Sequence, residues 1–335
     1  MREKQSSGAR SKVLVRILVL TAQDLLELLD PKSLVDAIAQ AFKKYSKGET
    51  VTPPRTVFYV EGNWWGIMQS YVPGEGVGVK VVNIIPSNRE RGLPTIQALV
   101  SLYDPVTGSP QAIMEGGVLT ALRTAAASAL SVKLLAPKEK GAVAVIGTGY
   151  QARFQLRFIK EYYRPSQVRI YDIRREAMEE YKRFVEEELG LEVYMAKDHR
   201  DCIKGARIVV EASTTKDPVI YGDVLEPPVH IVSIGAHTPT ARALDDEAIE
   251  KVDLIVVDSR KAVMEEAGDI RIPVQKGLIK MEDLVELGEL VEKGLDERPA
   301  ITLFKSVGLA IQDACAAGLA YKKALEKGLG KWISI

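Results

Sequence analysis

The stretch Ala142-Val-Ala-Val-Ile-Gly147-Thr148-Gly149-Tyr150-Gln151-Ala152 decides the fold. Five apolar residues read as a buried strand, and Gly-x-Gly-x-x-Ala then turns the chain into a helix. Gly147 allows the tight turn and Gly149 lets a pyrophosphate approach the backbone. Ala152 permits close helix–strand contact, and the helix N-terminus offers unpaired N–H groups. Glycines also mark ordinary turns, so the motif needs its context. The strand before it, the helix after it and an acidic residue ending the next strand all agree on a dinucleotide.

That residue is Asp172, 20 positions after Ala152. A carboxylate there accepts hydrogen bonds from the adenosine ribose hydroxyls and repels a 2′-phosphate, so NAD is favoured over NADP. Arg174 and Arg175 argue the other way, because either could pair with that phosphate.

Outward from this loop, short apolar runs at 142–147, 167–172, 191–196, 206–212, 229–235 and 254–258 alternate with helical stretches. That rhythm predicts βαβ units and a parallel sheet. The preceding region is different. A strand at 13–20 and a helix capped by Thr21 with Asp24 lead to a second helix behind Pro31. Strands at 55–60, 64–69, 77–85 and 95–103 follow, separated by turn residues, as in a largely antiparallel α+β sheet. Residues 116–136 form an alanine-rich helix, and 301–327 reads as a single helix with Phe304, Val307, Ile311, Ala314 and Gly318 on one face. The leader 1–12 is expected to be a mobile tail.

Composition narrows the function. In 335 residues Lys+Arg and Asp+Glu are both 45, which argues against a nucleic-acid binder that works by neutralising phosphates. Two cysteines, Cys202 and Cys315, exclude a disulfide framework and a CxxC metal site, and no metal is expected. No run approaches 18 consecutive apolar residues, and the apolar stretch at 13–20 is too short and interrupted for a signal peptide. The expectation is a cytoplasmic protein with no membrane partner.

Three cations stand outside the nucleotide region: Arg55, Lys80 within an apolar strand, and Arg123 on the alanine-rich helix. Thr120, Arg123 and Thr124 fall at i, i+3 and i+4, a polar stripe on an otherwise apolar helix. A buried arginine needs an anion. A substrate carboxylate and an internal Asp or Glu satisfy that need equally well.

With these residues in view, the sequence resembles the ornithine cyclodeaminase/μ-crystallin family from about Leu18 to Lys327. The motifs are Pro54-Arg55, Gly78-Val-Lys80, Leu119-Thr-Ala-Leu-Arg-Thr-Ala, the Gly147 loop, Glu266-Ala-Gly-Asp269 and Phe304-Lys-Ser-Val-Gly308 with Gln312-Asp313. The resemblance implies a homodimer in which a Rossmann domain, a doubly wound parallel sheet at 136–314, is inserted into an α+β substrate and dimerisation domain at 13–135 plus 315–335. It implies hydride transfer between nicotinamide and the α-carbon of an amino or imino acid. Arg55 and Arg123 match arginines that grip the substrate carboxylate, and Lys80 matches an active-site lysine that hydrogen-bonds the substrate and moves protons. Thr124, Gly147, Thr148, Gly149, Tyr150, Gln151, Asp172, Arg174, Ser213, Thr214, Ser306 and Val307 fall on the cofactor side.

One departure matters. Where the cyclodeaminases carry an aspartate that contacts the amino group of ornithine, this chain has His237. An imidazole offers no fixed negative charge to a second ammonium. His237 is therefore expected to shape the pocket or relay a proton, or else to cap the turn at Pro239. The leading expectation is an NAD(P)-dependent imine reductase or amino-acid dehydrogenase, acting on a cyclic ketimine or interconverting pyruvate and alanine. The alternatives are an ornithine cyclodeaminase and a non-catalytic μ-crystallin-like binding protein.

Overall fold

Residues 15–335 are described by a computed structural model. The leader at 1–12 and the first two residues of the strand expected at 13–20 lie outside them. Strand β1 (Arg16–Leu20) leads into helix α1 (Ala22–Leu28) through the expected capping box. The Thr21 hydroxyl accepts from the Asp24 N–H at 3.3 Å, and the Asp24 carboxylate accepts from the Thr21 N–H at 2.8 Å. Asp30 caps α2 (Pro31–Ser46), which buries Leu34, Val35, Ile38 and Phe42. Strands β2 (Thr56–Val60), β3 (Asn63–Val72), β4 (Gly76–Ile84), β5 (Ile96–Tyr103) and β6 (Pro110–Glu115) follow, then α3 (Gly116–Leu135).

The chain next alternates strand and helix: β7 (Ala142–Ile146), α4 (Tyr150–Ile159), β8 (Val168–Tyr171), α5 (Arg175–Leu189), β9 (Val193–Met195), α6 (His199–Ile203), β10 (Ala206–Glu211), β11 (Val229–Ser233), α7 (Asp246–Glu250) and β12 (Leu254–Val257). Then come α8 (Arg260–Glu266), α9 (Gly268–Lys276), β13 (Val285–Glu286), α10 (Leu287–Lys293) and β14 (Ile301–Lys305). Helix α11 (Ala310–Lys327) and strand β15 (Lys331–Ser334) end the chain.

Two sheets result. One runs β15-β1-β6-β5-β4-β3-β2, antiparallel except where β1 meets β6. The other runs β13-β12-β14-β11-β10-β7-β8-β9, and every pairing in it is parallel. From β7 the chain winds outward to β9, then crosses back to β10 and builds the other way. The gap between those directions is where doubly wound sheets bind ligands.

One expected element is corrected. Residues 301–327 are not one helix: Ile301–Lys305 is a fully buried strand, and the helix begins at Ala310. Gly308, at φ +83°, separates them. The helical spacing of Phe304, Val307 and Ile311 is therefore a coincidence of a strand, a loop and a helix start. The helix also begins five residues before the boundary expected at 315.

Helix α3 is long and apolar enough to cross a membrane by composition, but 72% of that window is buried inside the protein, so it is a core helix. It packs against α2, α4, α11 and both sheets. Helix α11 lies on the inner face of β4 because Gly78 has no side chain. A Cβ there would sit 2.7 Å from the Ala314 Cα. That close approach brings Asp313 opposite Lys80, two residues along the same face of the strand.

Candidate active site

Lys80, Arg123 and Asp313 meet where β4, α3 and α11 converge. The Lys80 ammonium lies 2.7 Å from one Asp313 oxygen, and Arg123 Nε lies 3.0 Å from the other. Lys80 also reaches the Thr120 hydroxyl at 3.4 Å, and Arg123 Nη1 donates to the Gln312 side-chain carbonyl at 3.1 Å. All three charged groups are buried. Burial drives the Lys80 pKa down to about 7; Asp313 opposes this, while Arg123 and Arg55 add to it. Burial alone would raise the Asp313 carboxyl, but Arg123 and Lys80 hold it below its ordinary range. With Lys80 protonated, two cations share one anion and the cluster carries a surplus positive charge. It opens into a cavity of about 720 Å³, walled by Trp64, Met68, Val82 and Ile84 on the sheet side and by α8 opposite.

The question of what partners Arg123 thus has a double answer. Its anion is internal, yet it also lines the cavity. Arg55 is similarly shared. Its Nε pairs with Glu266 at 3.0 Å, and its Nη2 donates to the carbonyls of Val307 at 3.2 Å and Gly308 at 2.6 Å. Burial raises the Glu266 pKa despite Arg55.

The 306–308 loop is held from below by buried Asp258. That carboxylate accepts from the Ser306 hydroxyl and the Val307 and Gly308 N–H groups at 2.7–2.8 Å. Ser306 and Val307 therefore sit at the tip of β14, beside the cavity, with the Ser306 hydroxyl already engaged.

At the other side of the switch point the Gly147 loop passes a structural test for a dinucleotide. Gly147 has φ +83°, and a Cβ on it would lie 2.7 Å from the Ser213 backbone, so only glycine fits. Around Gly149 no heavy atom comes within 4 Å of the Cβ position, leaving the backbone approachable. The buried side-chain oxygen of Gln151 has no partner among the described residues. Asp172 accepts from the Thr148 N–H at 2.9 Å and hydroxyl at 3.2 Å, and from the Arg174 N–H at 3.0 Å. A second cavity of about 360 Å³ lies here, bounded by Thr148, Gly149, Tyr150 and Arg174. The residues present fit the group.

The remaining expected residues are dispersed. Thr124 donates its hydroxyl to the Thr120 carbonyl at 2.7 Å. Ser213 caps Glu211, and Thr214 beside it is exposed. His237 is exposed at the cavity rim, its Nδ1 2.6 Å from the Gly235 carbonyl oxygen. His230 is buried between Ser131 and Thr302, and burial pushes its pKa down to about 3. Asp313, Glu266 and Asp258 were assigned no role from sequence. The first two lie in quoted motifs, but an acidic residue on an amphipathic helix gives no sign of which cation it will meet.

The Δ1-pyrroline-2-carboxylate reductase of Bacillus cereus is 33% identical over 330 residues, covering 95% of this chain and 99% of the relative. The solved Δ1-pyrroline-2-carboxylate reductase of Thermococcus litoralis, in complex with NADH and L-proline, is 38% identical with a TM-score of 0.89, covering 94% of this chain and 99% of that one. An archaeal alanine dehydrogenase dimer with bound NAD is 32% identical with a TM-score of 0.87, covering 95% and 99%. The model of the ornithine cyclodeaminase/mu-crystallin family matches residues 16–328, and with relatives of this identity and coverage the chain belongs to that family.

Proposed function

We propose that the protein is an NAD-dependent oxidoreductase that reduces a small cyclic 2-imino acid, such as Δ1-pyrroline-2-carboxylate, to the amino acid. The observation that carries this reading is the Lys80–Arg123–Asp313 cluster, a buried surplus of positive charge facing a cavity at the tips of a Rossmann sheet. A 2-imino acid brings the carboxylate that neutralises it. Similarity to reductases of this class and to an NADH- and proline-bound structure supports the assignment.

Reduction places a hydride on the imine carbon and a proton on its nitrogen. When bound, NADH supplies the hydride. The Gly147 loop would receive the pyrophosphate on its backbone N–H groups, and Asp172 would hold the adenosine ribose. Arg123, assisted by Arg55, fixes the carboxylate, and so orients the imine carbon toward the strand tips. Lys80, with a pKa near 7, holds a proton it can deliver to the imine nitrogen at neutral pH. Ser213, Thr214, Ser306 and Val307 border the cofactor side, and His237 shapes the rim.

The same site suits an alanine dehydrogenase, and the archaeal relative supports that second reading. An ornithine cyclodeaminase fits less well. His237 supplies no anion for a second ammonium and Glu266 is already committed to Arg55, which leaves the exposed Glu265 as the other carboxylate on the cavity wall.

The partner is a second copy of the chain. Phe58, Ile67, Val81 and Leu99 lie on the face of the mixed sheet away from Lys80, and Phe58, Val81 and Leu99 are 39–52% exposed. An apolar face of this kind calls for a partner surface, and likeness to a dimeric relative favours a homodimer. Two buried free cysteines accord with the cytoplasm. A panel of cyclic imines and of 2-oxo acids with ammonia, read by NADH oxidation, tests the assignment. Turnover of none of them overturns it.

A further inference from the structure

The tips of the parallel strands hold a second buried charge cluster, which the reaction above leaves without a role. Glu211, Ser233 and Lys305 occupy matching register positions on β10, β11 and β14, and all are buried. Lys305 donates to the Ser233 hydroxyl at 3.0 Å and pairs with Asp269 at 2.9 Å. Ser233 in turn donates to Glu211 at 3.0 Å. Glu211 also accepts from the Ser213 N–H at 2.9 Å, the Ser213 hydroxyl at 2.6 Å and the Gly235 N–H at 3.1 Å. Asp269 accepts from the N–H groups of Ala243 and Leu244 at 2.7 and 3.0 Å. Each carboxylate acts only as an acceptor, the pattern of its ionised form. Two carboxylates surround one ammonium, so this cluster carries a surplus negative charge.

Its place follows from strand order. Asp172 at the tip of β8 takes the adenosine end, and the Gly147 loop at β7 takes the pyrophosphate. The remainder of a dinucleotide must run over β10, β11 and β14, where Glu211, Ser233 and Lys305 end their strands. Beyond β14 the cation cavity begins, since Arg55 is tied to the Val307 and Gly308 carbonyls. A dinucleotide held in this way would have its nicotinamide between a negative floor and a positive wall.

We propose that Glu211, balanced against Lys305 and Asp269, biases the site toward the oxidised cofactor. The nicotinamide ring is positively charged in NAD+ and neutral in NADH, so a fixed negative charge beneath it stabilises only the oxidised form. Glu211 is a positioning residue in this scheme. Its charge acts across the loop backbone rather than by contact. The inference rests on the dinucleotide reading above.

Titration of purified protein with NAD+ and with NADH tests it, with circular dichroism to verify folding. Glu211→Gln is expected to weaken NAD+ relative to NADH by about tenfold, or 1.4 kcal/mol. Lys305→Met, which deepens the negative surplus, is expected to move the ratio the opposite way. A purely structural role would weaken both forms together and leave the ratio unchanged, which overturns the proposal. If Glu211→Gln does not fold, Lys305→Met decides alone: a ratio that moves toward NAD+ supports the proposal and an unchanged ratio overturns it. Failure of both forms to bind would instead overturn the dinucleotide reading.

Discussion

Two buried lysine–aspartate pairs, Lys80–Asp313 at 2.7 Å and Lys305–Asp269 at 2.9 Å, are built on different sheets, the first on the mixed one and the second on the parallel one. Their chemistry is the same and their surroundings are opposite. Around Lys80 the third member is a cation, Arg123, and the cluster opens onto a cavity. Around Lys305 the third member is a carboxylate, Glu211, and backbone N–H groups absorb the excess. Buried charge is tolerated only where something compensates it. The closed cluster keeps its surplus negative charge inside the fold, solvated by those N–H groups. The open cluster is left one anion short, and that shortage defines a binding site. What marks a functional ion pair is thus the sign left over and where it faces.

The comparison breaks most visibly at Arg123. Replacing it with Met removes one of the two cations and leaves Asp313 to Lys80 alone, so the site loses its surplus charge. A substrate carboxylate would then be desolvated without a charged partner, costing roughly 2–5 kcal/mol in kcat/KM. NADH binding should stay close to wild type, because Arg123 faces the cavity. Steady-state kinetics set against an NADH titration separate the two. Ordinary kinetics would reduce Arg123 to a structural ion pair with Asp313.

Lys80 sharpens the same contrast through pH. Burial lowers its pKa to about 7, against its ordinary 10.5. Imine reduction consumes a proton, so the working form is the protonated one, present below that pKa and lost above it. The reductive kcat/KM should be flat on the acidic side and fall about tenfold per pH unit once pH exceeds roughly 7. Lys80→Arg, which stays charged throughout, should abolish that decline even if its activity is low. A wild-type profile flat to pH 9 would remove Lys80 as the proton source.

How far the sequence could be read differs between the two regions for a physical reason. The Gly147 loop is legible because its demands are local. A positive φ, an open backbone and a close helix contact each restrict one position to a small residue. Strand periodicity and caps such as Thr21–Asp24 are local as well. The charge clusters are not. Asp313 lies 190 residues from Arg123 and meets it only because Gly78 lets α11 settle on β4. Lys305 was read as part of a helix, since the short buried strand at Ile301–Lys305 runs into residues with accidental helical spacing. Arg55 was matched to a carboxylate-gripping role by family likeness, and nothing in its neighbourhood on the chain announced Glu266.

Asp172 tests the local side of the contrast. Its carboxylate holds the Thr148 N–H and hydroxyl and remains at the tip of β8. Asp172→Ser removes both the tether and the expected ribose acceptor, so the NADH dissociation constant should rise about tenfold, near 1.4 kcal/mol. The preference for NAD over NADP should narrow in parallel. A wild-type protein that prefers NADPH tenfold would hand the determinant to Arg174 or Arg175.

The smallest expected effect is at His237, which belongs to neither charge cluster. Its ring is exposed at the cavity rim and held by the Gly235 carbonyl, two residues before it in the chain. Gly235 N–H is bound to Glu211, so the turn carrying His237 is anchored in the negative cluster while its side chain reaches the positive cavity. An exposed side chain with one local hydrogen bond contributes little to folding, typically within about 0.5 kcal/mol. His237→Ala should therefore change imine reduction by only about twofold while leaving thermal stability unchanged. The same position decides between reduction and cyclodeamination. With no carboxylate at position 237 itself, a second ammonium has only the exposed Glu265 at the cavity wall among the described residues, and ammonia release from ornithine should be negligible. His237→Asp adds that carboxylate, and a slow release of ammonia from this variant alone would show that the rim selects the substrate. Efficient conversion of ornithine to proline by the wild type would mean that Glu265, or Glu266 released from Arg55, takes the ammonium, and the positive cavity would then have to be redrawn as a site of mixed sign.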